Sequence, residues 1–346
     1  MSGSTTAMLA LVKAGAGPEA TGLREVPVPH AGAGQVRVRV TATGICGTDL
    51  HLLRDEFPST PPVVMGHEIT GLVDELGSGV SGDWLGRRVA LETYGHVCGA
   101  CRFCRSGRTN LCPGRRSLGS QLDGGFAEYV VAPAVNLHVV ADDLPAEAGA
   151  LYEPLACVAH CLCDPAVASP GDSALVIGPG AIGLLAAQVL RSQGAEVLLV
   201  GTERDARRLA VAGQLGLATA TSDRLDSAVP DAGVDVVAEC SGNAAGVAAG
   251  LKHIRKGGHV VQIGLCGKPI PFDLDLVCLK ELTMSSGFAS TPRSWARAER
   301  LVRAGGVSLA PLVSESVPLP HWADAFERTA AGDGVKIVLT PRAAEH

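Results

Sequence analysis

The hydrophobic rhythm of the chain changes partway along. Up to about residue 150 the apolar positions fall in short alternating runs, such as Gln35-Val36-Arg37-Val38-Arg39-Val40. A period of two marks strands with one wet face. Glycine and proline punctuate these runs, as in Pro27-Val28-Pro29 and Ala31-Gly32-Ala33-Gly34, so each ends in a turn. From about 151, continuous apolar segments alternate with Ala/Leu-rich stretches of helical length. The pattern predicts strands over 174–177, 196–200, 235–240, 259–264, 282–286 and 336–339, and helices over 181–191, 204–215 and 294–304. Such a βαβ alternation builds a parallel sheet covered on both faces. The expected fold class is α/β, with a β-rich domain joined to a doubly wound parallel-sheet domain. At 346 residues, two domains are also the natural division of the core.

Composition narrows the function classes. The formal charge of −6 argues against a nucleic-acid partner, which calls for a basic face. Aromatic residues make up 3%, too few for an extended stacking platform. No apolar run is long enough to span a bilayer, and Met1–Ala10 lacks the basic and apolar segments of a secretory signal, so a cytoplasmic location is expected. Eleven cysteines, unevenly spread, point to metal binding before disulfides.

The segment Val176-Ile177-Gly178-Pro179-Gly180-Ala181-Ile182-Gly183 is a G-x-G-x-x-G at a strand end and a helix start. Gly178 suits the tight turn, Gly180 the close approach of a pyrophosphate, and Gly183 the packing of helix on sheet. The helix beginning at Ala181 and Ile182 offers free amides and a positive dipole end to phosphate. Glu203 lies 20 residues beyond Gly183, where a carboxylate accepts hydrogen bonds from ribose hydroxyls and repels a 2′-phosphate. Glu203 therefore favours NAD over NADP, whereas the neighbouring Arg204 is a residue that could hold a 2′-phosphate.

Two sets of metal ligands stand out. Cys98, Cys101, Cys104 and Cys112 form C-x2-C-x2-C-x7-C in a lobe at about 95–114. Four thiolates enclose zinc with no vacant position, which makes a structural site. Cys46, in Gly44-Ile45-Cys46-Gly47-Thr48-Asp49-Leu50-His51, and His67-Glu68 after Gly66 supply a thiolate, an imidazole and a carboxylate. Such a set can leave a zinc position open for an alcohol oxygen. A further group, Cys157, His160, Cys161 and Cys163, reads as core packing on a helix, since free cysteine behaves as a small hydrophobe.

With these motifs, and with Gly124-Gly125-Phe126-Ala127-Glu128-Tyr129 and Glu153-Pro154, the chain resembles the medium-chain, zinc-containing alcohol dehydrogenases over nearly its whole length. The glutamate of Leu151-Tyr152-Glu153-Pro154-Leu155 is similar to the polyol (sorbitol or L-iditol) branch, and Gly44–Asp49 with the cysteine lobe is equally similar to the L-threonine dehydrogenases. The resemblance implies a GroES-like catalytic domain, at 1–152 and 292–346, and a Rossmann domain at 153–291, with the active site in the cleft between them. It implies Cys46 and His67 as catalytic zinc ligands, completed by Glu153 or by Glu68 in exchange with it. Asp49 would hold His67 in one tautomer, Thr48 would receive the alcohol proton, and His51 would pass it to solvent.

The expected activity is NAD-linked interconversion of a secondary alcohol of a polar, polyol-like substrate and its ketone, with two zinc ions per chain. A biosynthetic dehydrogenase of a cyclitol, aminocyclitol, sugar or amino alcohol such as L-threonine is the alternative. A non-catalytic dinucleotide-binding protein is the contrasting class, in which the catalytic ligands should have been lost. A homodimer or homotetramer is expected, with 280–287 as the pairing edge.

Overall fold

The computed structural model describes residues 7–341; the opening of Met1–Ala10 and the last five residues of the expected catalytic domain lie outside them. The chain forms two compact units, Met1–Glu153 with Val313–His346, and Pro154–Leu312.

The first unit is built mainly on antiparallel strands, with Val313–Pro318 pairing in parallel to Lys336–Thr340. One sheet runs, in spatial order, Leu137–Val139, Arg88–Leu91, Glu68–Leu76, Gln35–Gly44, Lys336–Thr340 and Val313–Pro318, with Tyr129–Pro133 also paired to Gln35–Gly44. Along Gln35–Gly44 the valines at 36, 38 and 40 are buried and Arg39 is exposed, as the alternation predicts. Val36, Val38, Ile69, Val73 and Leu91 share one core; Leu11, Ile45, Leu52, Phe126, Phe326 and Leu339 share another. A three-stranded sheet, Thr21–Pro27, Ala7–Lys13 and Val63–Val64, and a two-stranded one, Tyr94–His96 and Arg116–Ser117, belong to the same unit.

The second unit carries six parallel strands in the order Ala218–Thr221, Glu196–Gly201, Ser173–Ile177, Val234–Glu239, Ile254–Gln262 and Thr283–Ser286. Numbered by chain position this is 3-2-1-4-5-6, the doubly wound dinucleotide-binding order, which reverses direction beside the first strand. The short strand Ala218–Thr221 and the helix Ala244–His253 lay outside the sequence expectation. The predicted helix over 204–215 opens as a separate 3-10 turn, Glu203–Asp205, before Ala206–Gln214.

The chain returns to the first unit at Val313, not at 292. Helix Pro292–Arg303 buries Trp295 and Ala298 completely. Beyond it, the Ser308 N–H donates to Gln188 Oε1 at 2.8 Å, and Gln188 Nε2 donates to the Ser308 carbonyl at 3.3 Å. These bonds tie 292–312 to helix Ala181–Ser192 of the sheet-bearing unit.

Candidate active site and metal centres

Strand register assembles the first ligand set. Gly44 pairs with Glu68 across the two central strands of the first unit, and Val338 pairs with Gly44 from the other side. Following the strands outward brings Cys46, His67-Glu68 and Lys336 to one end of the sheet. The ligand atoms of Cys46, His67 and Glu68 lie within 4.8 Å of one another. Gly44 is required here: a Cβ at this position would fall 2.0 Å from Glu68 Oε2.

Cys46 caps helix Gly47–Leu53, its N–H donating to Asp49 Oδ2 at 2.8 Å. The other carboxylate oxygen of the fully buried Asp49 faces His67 Nδ1 at 3.4 Å. That leaves Nε2 as the free ring nitrogen. Burial disfavours the His67 imidazolium, but Asp49 and the Cys46 sulfur more than offset it and raise its pKa. The cluster therefore attracts positive charge.

Glu68 is 1% exposed, and both its oxygens accept hydrogen bonds from Lys336 Nζ at 2.7 Å. The third ammonium bond goes to the Ile45 carbonyl at 3.0 Å. Burial, with the Glu153 charge adding to it, raises the Glu68 pKa against the opposing pull of Lys336 and His67. Glu153, 6% exposed, opens helix Tyr152–Leu162 and accepts from Thr93 Oγ1 at 2.6 Å. It falls outside the group formed by Cys46, His67 and Glu68. Thr48 Oγ1 stands 3.8 Å from Cys46 Sγ. His51 Nδ1 is 2.7 Å from Glu56 Oε2.

The sequence reading missed Lys336, Thr93 and Glu56. Lys336 had a visible signal, a lone charge within the apolar run Val335–Leu339.

In the cysteine lobe the four ligand atoms again lie within 4.8 Å. The Cys98–Cys104 and Cys101–Cys104 sulfur separations are 4.0 and 3.6 Å, against an edge of about 3.8 Å for a zinc tetrahedron with Zn–S bonds of about 2.3 Å. The Cys101 N–H donates to Cys98 Sγ at 3.4 Å. This backbone bond and one from Ala100 lower the Cys98 pKa to about 6, while burial pushes the neighbouring Cys104 thiol up to about 12. Cys157, His160, Cys161 and Cys163 form no ligand group among the described residues. Cys161 is buried and donates to the Gly287 carbonyl at 3.8 Å.

In the second unit Gly178 closes the turn with φ 100. A Cβ on Gly183 would lie 1.8 Å from the Gly178 carbonyl oxygen, whereas one on Gly180 would meet nothing within 4 Å. The loop is therefore tight where helix meets strand and open where a pyrophosphate would approach, ahead of Ala181 and Ile182. Past the second strand, Asp205 caps its own turn by accepting from Thr202 N–H and Oγ1 at 2.9 and 2.8 Å. Glu203 and Arg204 are both exposed.

Residues 32–142 match the alcohol dehydrogenase GroES-like domain, and 181–304 match the zinc-binding dehydrogenase domain. A sorbitol dehydrogenase of Halalkalibacterium halodurans is 37% identical over 96% of this chain and 99% of its own. The chain belongs to the medium-chain, zinc-containing alcohol dehydrogenase family. It is an oxidoreductase of that family. A D-arabitol-phosphate dehydrogenase of Enterococcus avium is 35% identical, covering 91% of this chain and 92% of its own. A zinc-binding dehydrogenase from Sinorhizobium meliloti 1021, solved bound to NADP, superposes with a TM-score of 0.88 at 34% identity over 97% of this chain and 100% of that one. The family's GroES-like and Rossmann folds account for the antiparallel first unit and the 3-2-1-4-5-6 sheet of the second.

Proposed function

We propose that the chain is a zinc-dependent, NAD-linked dehydrogenase that interconverts a secondary alcohol of a polyol-like substrate and the corresponding ketone. The observation carrying this reading is the buried convergence of Cys46, His67 and Glu68, a mixed sulfur, nitrogen and oxygen set. Three protein ligands and an open position are the arrangement of catalytic zinc; four thiolates are the arrangement of structural zinc.

Cys46 and His67 would hold the catalytic ion, with Glu68 and Glu153 as the carboxylates able to complete its shell. Cys98, Cys101, Cys104 and Cys112 would hold the second zinc. When bound, the catalytic zinc polarises the substrate oxygen as a Lewis acid, and the nicotinamide accepts or gives the hydride. Asp49 holds the His67 ring by Nδ1, so that Nε2 is the nitrogen that would meet the metal. Thr48 Oγ1, beside Cys46, receives the alcohol proton, and His51, oriented by Glu56, passes it outward. Lys336 balances the negative charge that Cys46, Asp49 and the two glutamates bring into a buried space.

Gly178, Gly180 and Gly183 would bind the pyrophosphate at the start of the helix, with Ala181 and Ile182 presenting N–H groups. Asp205 is committed to its cap, so Glu203 is the acidic side chain left to receive the ribose hydroxyls, and it favours NAD. The polyol assignment is supported by the sorbitol and arabitol-phosphate activities named for two relatives.

The exposed Leu274, Leu279, Met284 and Phe288 around strand Thr283–Ser286, the edge of the parallel sheet, support a homodimer or homotetramer. Sedimentation equilibrium tests this, and a monomer at micromolar concentration contradicts it. A cytoplasmic location belongs to the same reading, supported by eleven free cysteines and by the absence, among the described residues, of a helix long and apolar enough to cross a membrane.

The test is NADH formation by the zinc-loaded protein on sorbitol, D-arabitol, D-arabitol phosphate, myo-inositol and L-threonine. Turnover on a polyol supports the reading. Turnover on L-threonine alone moves the substrate to the amino-alcohol class. No turnover on any, with zinc bound, contradicts it.

A further inference from the structure

The helix that carries Thr48, Asp49 and His51 is short, and its two ends are held differently. Gly47–Leu53 spans two turns, too few to persist by its own hydrogen bonds in water. At the start, Cys46 and Asp49 fix it. At the far end the Asp55 N–H donates to the Leu52 carbonyl at 3.2 Å, and the Glu56 N–H to the His51 carbonyl at 2.9 Å. This double closure places Asp55 in the left-handed region, with φ 60, where glycine is the usual residue.

A turn that served only to stop the helix would be better made by glycine. The Asp55 side chain has another task. Its Oδ1 lies 2.7 Å from Lys13 Nζ, and its Oδ2 accepts from the Gly17 N–H at 2.6 Å. Lys13 ends strand Ala7–Lys13, and its side chain is 1% exposed while that of Asp55 is 41% exposed. An ammonium taken out of water in this way requires a counter-charge held in place. One residue beyond Asp55, Glu56 binds His51 Nδ1, so the clamp and the histidine's partner sit on the same turn.

We propose that Lys13 and Asp55 are positioning residues for the proton relay. They clamp the end of the relay helix to the first strand of the chain, and so hold His51 and Glu56 where a proton leaving Thr48 can be received. This inference rests on the relay described above, and the experiment separates the two.

The informative variant is Asp55→Gly, which removes the clamp while suiting the left-handed turn; Lys13→Met removes the other partner. Should the glycine variant fail to fold, Asp55→Asn takes the same measurements. The zinc-loaded proteins are compared by melting temperature, amide hydrogen exchange over 47–56, and sorbitol oxidation with NAD. In Asp55→Gly the clamp predicts a lowered melting temperature, because Lys13 loses its partner, in a protein still folded at the assay temperature, and exchange at 51–56 about tenfold faster or more. It predicts kcat lowered about tenfold or more with KM within about twofold, and recovery of kcat by added imidazole acting as an external base. Unchanged exchange and kcat would overturn the proposal, as would a loss of kcat that imidazole does not restore. If wild type fails to oxidise sorbitol, the substrate reading fails on its own. The exchange comparison then decides the clamp, with faster exchange confined to 51–56 supporting it and unchanged exchange overturning it.

Discussion

Single residues in this protein matter most where a charge is buried with one designed partner. Lys336 gives all three ammonium hydrogens, two to Glu68 and one to the Ile45 carbonyl. Removing one partner of a buried pair leaves the other uncompensated, at a cost of about 3–5 kcal/mol. Lys336→Met should therefore lower the metal-free protein's stability by about that amount in urea unfolding, whereas Glu68→Gln with Lys336→Met should recover a large part of the loss. Losses that simply add would show that the two residues are not energetically coupled. Little of this pairing was legible beforehand. The ligand types and the glycines were readable because their chemistry is local, but Glu68 and Lys336 are 268 positions apart, and only strand register brings them together. The allocation of the carboxylates was equally hidden. The resemblance left the third ligand open between Glu153 and Glu68; packing puts Glu68 with Cys46 and His67, and Glu153 accepts from Thr93.

At the level of elements, the strand–turn–helix over 173–192 was the most readable part of the chain, because continuous apolar strands and an Ala/Leu helix flank a glycine motif. The strand Ala218–Thr221 was missed because Ala-Thr-Ala-Thr at a sheet edge carries little apolar signal, and its residues are exposed or half-buried. Gly183→Ala should damage this element most. The added carbon would fall 1.8 Å from a backbone oxygen, so the turn must shift. We expect a loss of about 1–3 kcal/mol and at least tenfold weaker NADH binding by fluorescence titration; wild-type NADH affinity would contradict the packing argument.

The same sheet contains a pH-dependent tie. Asp235 accepts from Ser173 N–H and Oγ at 2.7 Å and from Arg255 Nε at 2.6 Å. The Ser173 backbone bond, then the Arg255 and Ser173 side-chain bonds, pull its pKa from 3.8 down to about 2. Because the folded value is the lower one, the stabilisation is complete above the unfolded pKa and is lost as pH falls through the folded one, between about 4 and 2. Asp235→Asn should thus lower the urea midpoint equally at pH 7 and pH 5, with the gap narrowing only below about pH 4. A gap that already changes between pH 7 and 5 would contradict this.

Across the whole molecule, the two units divide the chemistry. The first unit carries both candidate sets of metal ligands and the groups proposed for proton transfer; the parallel-sheet unit carries the glycine loop. Net charge conceals local balance. From Thr93 to Leu122 there are five arginines and no carboxylate, in a chain of formal charge −6. Four thiolates around one Zn2+ leave a net charge of about −2, for which arginines of the same segment would be available as counter-charge. Helix Pro292–Arg303 has no sequence mark that assigns it to either unit; in the structure 292–312 falls in the compact unit Pro154–Leu312, tied by Ser308 to Gln188.

The central claim is that Cys46, His67 and a glutamate hold a catalytic zinc separate from the four-cysteine site. The most direct test is zinc per chain, measured together with sorbitol oxidation, for wild type and Cys46→Ser. Two zinc ions per wild-type chain are expected, and in the variant one tightly held zinc, unchanged NADH binding and turnover lowered at least a thousandfold, on the order of several kcal/mol in the barrier. A variant that keeps wild-type turnover with a single zinc would contradict it.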